Sequence, residues 1–217
     1  MVSEKSSTLR LAAVLMAAAL SACRAEPPPT APAFRARAVA FPGAAGSAQP
    51  RLNVGADGLA ILSWLEPAGD GSVLRYAVFD GAAFSMPREV VRGDDLMVNW
   101  ADMPSVQPIT ADVWAAHWLR LDPEQAGAYH IATAVSNDGG VTWSGQVQLN
   151  DDSAAAEHGF VDLFAWNGAI GAFWLDGRQL AEWSFDEPDK LLGTSLRVAE
   201  LDYSGNVVAR EIVDELV

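Results

Sequence analysis

Three Trp-Leu-charged triplets constrain this chain more than any other feature: Trp64-Leu65-Glu66, Trp118-Leu119-Arg120 and Trp174-Leu175-Asp176. They lie 54 and 56 residues apart. Pro50, Pro104 and Phe160 each precede their tryptophan by 14 residues. Strand-like runs follow each triplet: 74–79, 130–135 and 196–201. A turn and an apolar residue come next, with Phe84, Trp143 and Val207 in comparable places. Short closing runs end each unit at 88–91, 146–149 and 209–213. Repeats of this length, rich in β-branched and aromatic residues and punctuated by Gly, Asp and Pro, predict four short strands per unit. Ala60–Trp64 and Ile170–Trp174 are almost wholly apolar, as expected of strands covered on both faces. The expected fold class is all-β: a β-propeller with about three four-stranded blades. An all-β sandwich is the alternative, but it gives no reason for the constant offset of the triplets.

Within the second repeat, Ser136-Asn137-Asp138-Gly139-Gly140-Val141-Thr142-Trp143 fits Ser/Thr-x-Asp-x-Gly-x-x-Trp. Asp138 can accept hydrogen bonds from turn amides, and Gly139 and Gly140 can take positive φ. Trp143 can fold back as an apolar plug. Ser136, Asp138, Gly140 and Trp143 are therefore read as structural. An ordinary Asp-Gly-Gly hairpin is the bland alternative.

The N-terminus reads as a targeting segment. Lys5 and Arg10 supply positive charge, Leu11 to Leu20 is apolar, and Leu20-Ser21-Ala22-Cys23 fits a bacterial lipobox. Ten apolar residues are too few to span a bilayer. Residues 1–22 are expected to be a lipoprotein signal peptide, with Cys23 the lipidated residue. A plain secretory signal is the alternative. Arg24 is not the Asp of the usual inner-membrane retention signal, so an outer-membrane anchor is expected. Residues 23–33, with Pro27-Pro28-Pro29, read as an extended tether. Residues 34–46 hold a candidate ring-closing strand, and 47–217 the partial propeller.

Cys23 is the only cysteine. No internal disulfide and no Cys-based metal site can form. The formal net charge of −14 argues against nucleic-acid binding, which needs clustered Lys and Arg. It also argues against charge-driven adhesion to anionic lipid. No phosphate loop, zinc motif or Ser-His-Asp order is visible, so no cofactor and no metal are expected.

The Asp box, the repeat and the segments Asn99-Trp100-Ala101-Asp102, Glu157-His158-Gly159-Phe160 and Trp174-Leu175-Asp176-Gly177-Arg178 resemble the bacterial sialidase-like (BNR-repeat) lipoproteins. The resemblance covers roughly Ser47 to the C-terminus. It implies six or more blades; three fit here, so the chain is expected to be the N-terminal half of a longer protein. It also implies an arginine cluster for a substrate carboxylate, a general acid and base, and a tyrosine nucleophile activated by glutamate.

Blade strands run antiparallel, so first-strand starts and second-strand ends share one face. That face is expected to be the mouth of the propeller. Arg51 there resembles the sialidase Arg-Ile-Pro element with its order reversed, as Pro50-Arg51-Leu52. Arg178 is the next arginine, unless it only pairs with Asp176 at a turn. Asp102 is the candidate general acid. Trp100 can stack on a sugar or cap a blade interface. His158 beside Glu157 is a substrate-contact candidate, while as a metal ligand it lacks spaced partners and reads as a satisfied loop histidine. Asp94-Asp95 reads as a solvated turn. Tyr76, Tyr129 and Tyr203 are placed off the mouth, so no nucleophile is assigned.

These residues lead to two functional expectations. The first is a lipid-anchored, sialidase-like propeller of the cell envelope that recognises glycan; if active it would be an exo-α-sialidase-type glycoside hydrolase, with full catalysis by this chain alone not expected. The second is a non-catalytic envelope scaffold that binds protein. Three blades leave two open flanks, expected to expose Ile61, Leu62, Phe173 and Trp174 and to drive homodimerisation or aggregation.

Overall fold

The computed structural model describes residues 36–55, 57–182 and 193–215. The signal segment, Cys23 and the tether lie outside the described residues. The compact unit runs over Val39–Val217.

Twelve strands form three antiparallel sheets, each with its strands in chain order. Blade 1 comprises β1 (Ala48–Val54), β2 (Ala60–Ala68), β3 (Gly71–Phe79) and β4 (Arg88–Gly93). Blade 2 comprises β5 (Ser105–Pro108), β6 (Trp114–Leu121), β7 (Tyr129–Ser136) and β8 (Val147–Gln148). Blade 3 comprises β9 (His158–Trp166), β10 (Ala169–Asp176), β11 (Ser195–Leu201) and β12 (Val207–Asp214). Among the described residues the only helical element is a 3-10 turn at Leu180–Glu182. The architecture is thus a partial propeller of three four-stranded blades.

Side-chain alternation along β6 explains why the blades stack. Trp114, Ala116 and Trp118 point one way and join Ile61, Leu65, Leu74 and Tyr76 of blade 1. Ala115 and Leu119 point the other way and join Val161, Leu163, Ile170 and Trp174 of blade 3. Blade 2 is therefore apolar on both faces, which a two-residue period allows only when both faces are covered. Each large side chain so buried contributes roughly 1.5–3 kcal/mol. Ile61 and Trp174 are fully buried in these clusters, which corrects the expectation that they lie on open flanks. Phe173 is exposed as expected, together with Leu52 and Val54 on β1 and Trp166 and Ile212 in blade 3.

The first strands converge. Asn53 of β1 donates to the Val106 carbonyl of β5 at 3.0 Å, and Arg51 donates to the Val161 carbonyl of β9 at 3.2 Å. β1 and β9 both slip register near their starts, between Ala48 and Arg51 and opposite Phe173 and Leu175. The bulged residues Gln49 and Phe160 have φ of 54° and 53°, costly for side chains of this size. Residues 36–46 form no strand. Phe41 instead lays its ring edge against Trp64, 5.2 Å between centroids. Val207, aligned in sequence with turn residues, begins β12.

Candidate functional site

Asp102 sits where the three first strands meet, and it is 5% exposed. Its Oδ2 accepts from the Tyr129 hydroxyl at 3.0 Å and from Asn99 at 3.3 Å. Its Oδ1 accepts from the Phe160 amide. A Cβ at Gly159 would meet Asp102 Oδ1 at 2.5 Å, so the glycine lets the carboxylate close on the bulge. Asp102 ties the loop before β5 to the start of β9. Tyr129, placed off the mouth from sequence, lies directly against it. Burial, and after it the negative charge of Asp102, push the Tyr129 phenol far above its ordinary range. That is the reverse of what a nucleophile needs.

Trp100 stands two residues before Asp102 and is 90% exposed. Its loop is held fast nonetheless. Asn99 Oδ1 accepts from the amides of Ala101 at 2.9 Å and Asp102 at 2.8 Å, and from Gln49 at 3.1 Å. Arg51 is already paired with Asp162.

His158 is fully buried at the start of β9. Its Nδ1 donates to the Tyr129 carbonyl at 3.0 Å. Nε2 then faces Asp152 Oδ1 at 3.1 Å and Asp176 Oδ1 at 3.7 Å. The nearer oxygen lies within ion-pair distance, yet Nε2 has no hydrogen-bond partner. Asp176, also fully buried, accepts from the Trp174 indole at 3.0 Å and from Arg178 at 2.7 Å to each oxygen. Burial works to raise the Asp176 pKa, but the Arg178 and Trp174 hydrogen bonds outweigh it and hold it at about 2. Arg178 also pairs with Asp151 at 2.7 Å and touches Asp152. Its expected partner Asp176 is therefore real, and two more carboxylates join it. Asp151 and Asp152 are residues that sequence reasoning missed; their loop carries no spacing signal.

The triplets now have a physical reason. In blade 1 the Trp64 indole donates to Glu66 at 2.8 Å, just as Trp174 donates to Asp176. In blade 2 the third member is Arg120, which pairs with Asp95, and the Trp118 indole is left without a partner. The expected solvated turn at Asp94-Asp95 thus anchors an arginine. A groove of about 710 Å³ borders it, lined in part by Asp94, Asp122, His130 and Gln148.

The Asp box occupies the β7–β8 hairpin. Asp138 Oδ1 accepts from the Ser136 hydroxyl at 2.7 Å and the Thr142 amide at 2.8 Å. These bonds, led by that of the Thr142 hydroxyl, hold its pKa at about 2. Gly139 and Gly140 have φ of 66° and 82°. The Gly140 carbonyl accepts from Tyr76 at 2.7 Å, linking blade 2 to blade 1. Trp143 packs edge-on to Tyr76, 6.3 Å away. Asp202 repeats the device in blade 3, accepting from the Asn206 amide and side chain, both at 2.9 Å.

No family model matches this chain, and no curated protein does. It is similar to solved structures of an endo-1,4-β-xylanase from Bacteroides thetaiotaomicron and a glycosyl hydrolase from Bacteroides ovatus. The first has a TM-score of 0.47 and 16% identity, over 83% of this chain and 64% of the xylanase chain. The second has a TM-score of 0.34 and 11% identity, over 78% of this chain and 71% of that chain. The chain therefore spans less than two thirds of the xylanase's length. Likeness at this level carries no argument about the site.

Proposed function

We propose that this chain is a lipid-anchored, glycan-recognising propeller of the bacterial cell envelope, binding without catalysis. The observation that carries the proposal is Trp100. A large indole, 90% exposed, is presented by a loop whose backbone is pinned on Asn99. Leaving such surface in water costs about 1.5–3 kcal/mol relative to burial. An exposed indole on a pinned loop offers a flat apolar face with little backbone ordering on binding. The apolar face of a sugar ring matches it.

The polar groups speak against hydrolysis by this chain alone. The Tyr129 phenol is locked to Asp102. Both Asp102 oxygens are taken, and Arg51 and Arg178 are committed to ion pairs. A glycan array probed with the purified chain tests the proposal. Selective binding should fall at least about tenfold in Trp100→Ala, as for an aromatic hot spot. Stability should stay within about 0.5 kcal/mol, because the side chain is exposed. Unchanged binding in Trp100→Ala would overturn the role of the indole, and strong turnover of a fluorogenic sialoside would overturn the absence of catalysis.

A protein-binding scaffold is the second reading. A groove of about 250 Å³ in blade 3, lined by Phe164, Trp166 and Phe173, favours it. A flat array together with a captured envelope protein would support that reading.

A further inference from the structure

We propose that Asp152, His158 and Asp176 form a binding site for a divalent transition cation, with zinc the best fit. One ligand atom from each lies within 4.8 Å of the other two. Bonds of about 2.0–2.1 Å at a tetrahedral ion set ligand atoms about 3.3 Å apart. The two distances from His158 Nε2, 3.1 and 3.7 Å, bracket that edge.

The imidazole supplies the second, independent argument. Donation from Nδ1 to the Tyr129 carbonyl fixes the proton on that nitrogen. In the neutral ring, Nε2 then carries a lone pair, fully buried and aimed among carboxylates. Two lone-pair donors facing each other repel unless a cation lies between them. Nε2 lies 3.1 Å from Asp152 Oδ1 yet makes no hydrogen bond. Ligands of a shared ion lie this close without bonding one another. A ligating histidine also commonly donates its other N–H to a backbone carbonyl, as His158 does.

The acids are held in place by cations beside them: Arg178 reaches all three of Asp151, Asp152 and Asp176, Arg197 lies 3.5 Å from Asp176, and Arg210 acts on Asp151. One imidazole and two carboxylates suit zinc. Calcium prefers six to eight oxygens at longer distances. The bound ion would tie the Asp151–Asp152 loop to the ends of β9 and β10.

The test uses the full chain carrying Cys23→Ser, which removes the one thiol. Equilibrium dialysis against zinc alone should give one ion per chain. Asp152→Asn and His158→Gln should each weaken it at least tenfold, while His117→Gln, at a buried histidine elsewhere, should not. Cobalt(II) should give the visible absorption of a four-coordinate site. Asp152 is partly exposed, so its variant is informative even if His158→Gln does not fold. No zinc bound at micromolar concentration, tighter binding of calcium, or affinity unchanged in a folded Asp152→Asn would overturn the proposal.

Discussion

In blade 1, the carboxylate of the triplet has as many donors as it needs. Glu66 accepts from the Trp64 indole at 2.8 Å, from Arg75 at 2.7 Å and from the Ala44 amide at 3.0 Å. In blade 3, Asp176 accepts from its indole and from both arms of Arg178, yet Asp152, Asp151 and His158 crowd the same spot. The two ends share a motif and differ in what gathers round it. Glu66 meets one arginine, an indole and an amide, while Asp176 stands with two further acids, Arg178, Arg197 and a buried imidazole. The proposed cation site rests on that gathering.

The largest expected effect bears directly on this contrast. Asp176→Ala removes a fully buried carboxylate that holds the Trp174 indole and pairs with Arg178 and Arg197, and should lower stability by about 3–5 kcal/mol. Glu66→Ala removes an acceptor from one indole and one amide and should cost less, about 1–3 kcal/mol. Urea denaturation of both variants checks the order, and equal losses would erase the difference between the blades.

His117 sharpens the contrast from another side. It is as buried as His158, but its partners are neutral: the Ser105 hydroxyl at 2.9 Å and the Met103 carbonyl at 3.1 Å. Burial, helped by the charge of Arg51, pushes its pKa down to about 3. The unfolded chain binds a proton near pH 6.5 that native His117 refuses, so stability is complete above 6.5. It should fall as pH drops from 6.5 toward 3, by about 1.4 kcal/mol per pH unit. Denaturation midpoints across that range should show the slope, and His117→Gln should remove it.

The smallest effect lies at the blade 1–blade 2 seam. Tyr76→Phe deprives the buried Gly140 carbonyl of its donor and should cost about 1–2 kcal/mol. A larger loss would mean that the hairpin itself rearranges.

The blades were legible because apolar periodicity and turn residues are local properties. The Trp-Leu-charged triplets, the Asp box and the apolar runs that become β2 and β10 could all be read along the chain, although Phe173 leaves one face of β10 exposed. The destination of each polar residue could not. Asp102 and His158 read as mouth residues, but the sequence carries no sign that both are buried. Asp152 has no motif, since its place depends on a loop closing over β10. Tyr129 meets Asp102 where the loop before β5 reaches the start of β7, a contact between residues 27 apart in the chain.

Each sheet is made of four strands in strict chain order, and this has a consequence for how the molecule forms. No strand waits for a distant partner within its own sheet, so each hairpin can close in about 1–10 μs. Low sequence separation within a blade favours rapid, independent assembly. Docking one blade on the next is then the late event, made across the faces that Trp114 and Ile170 present. A gene that gained or lost one such segment would add or remove a unit without rethreading the others, so the number of blades is a quantity that duplication can change.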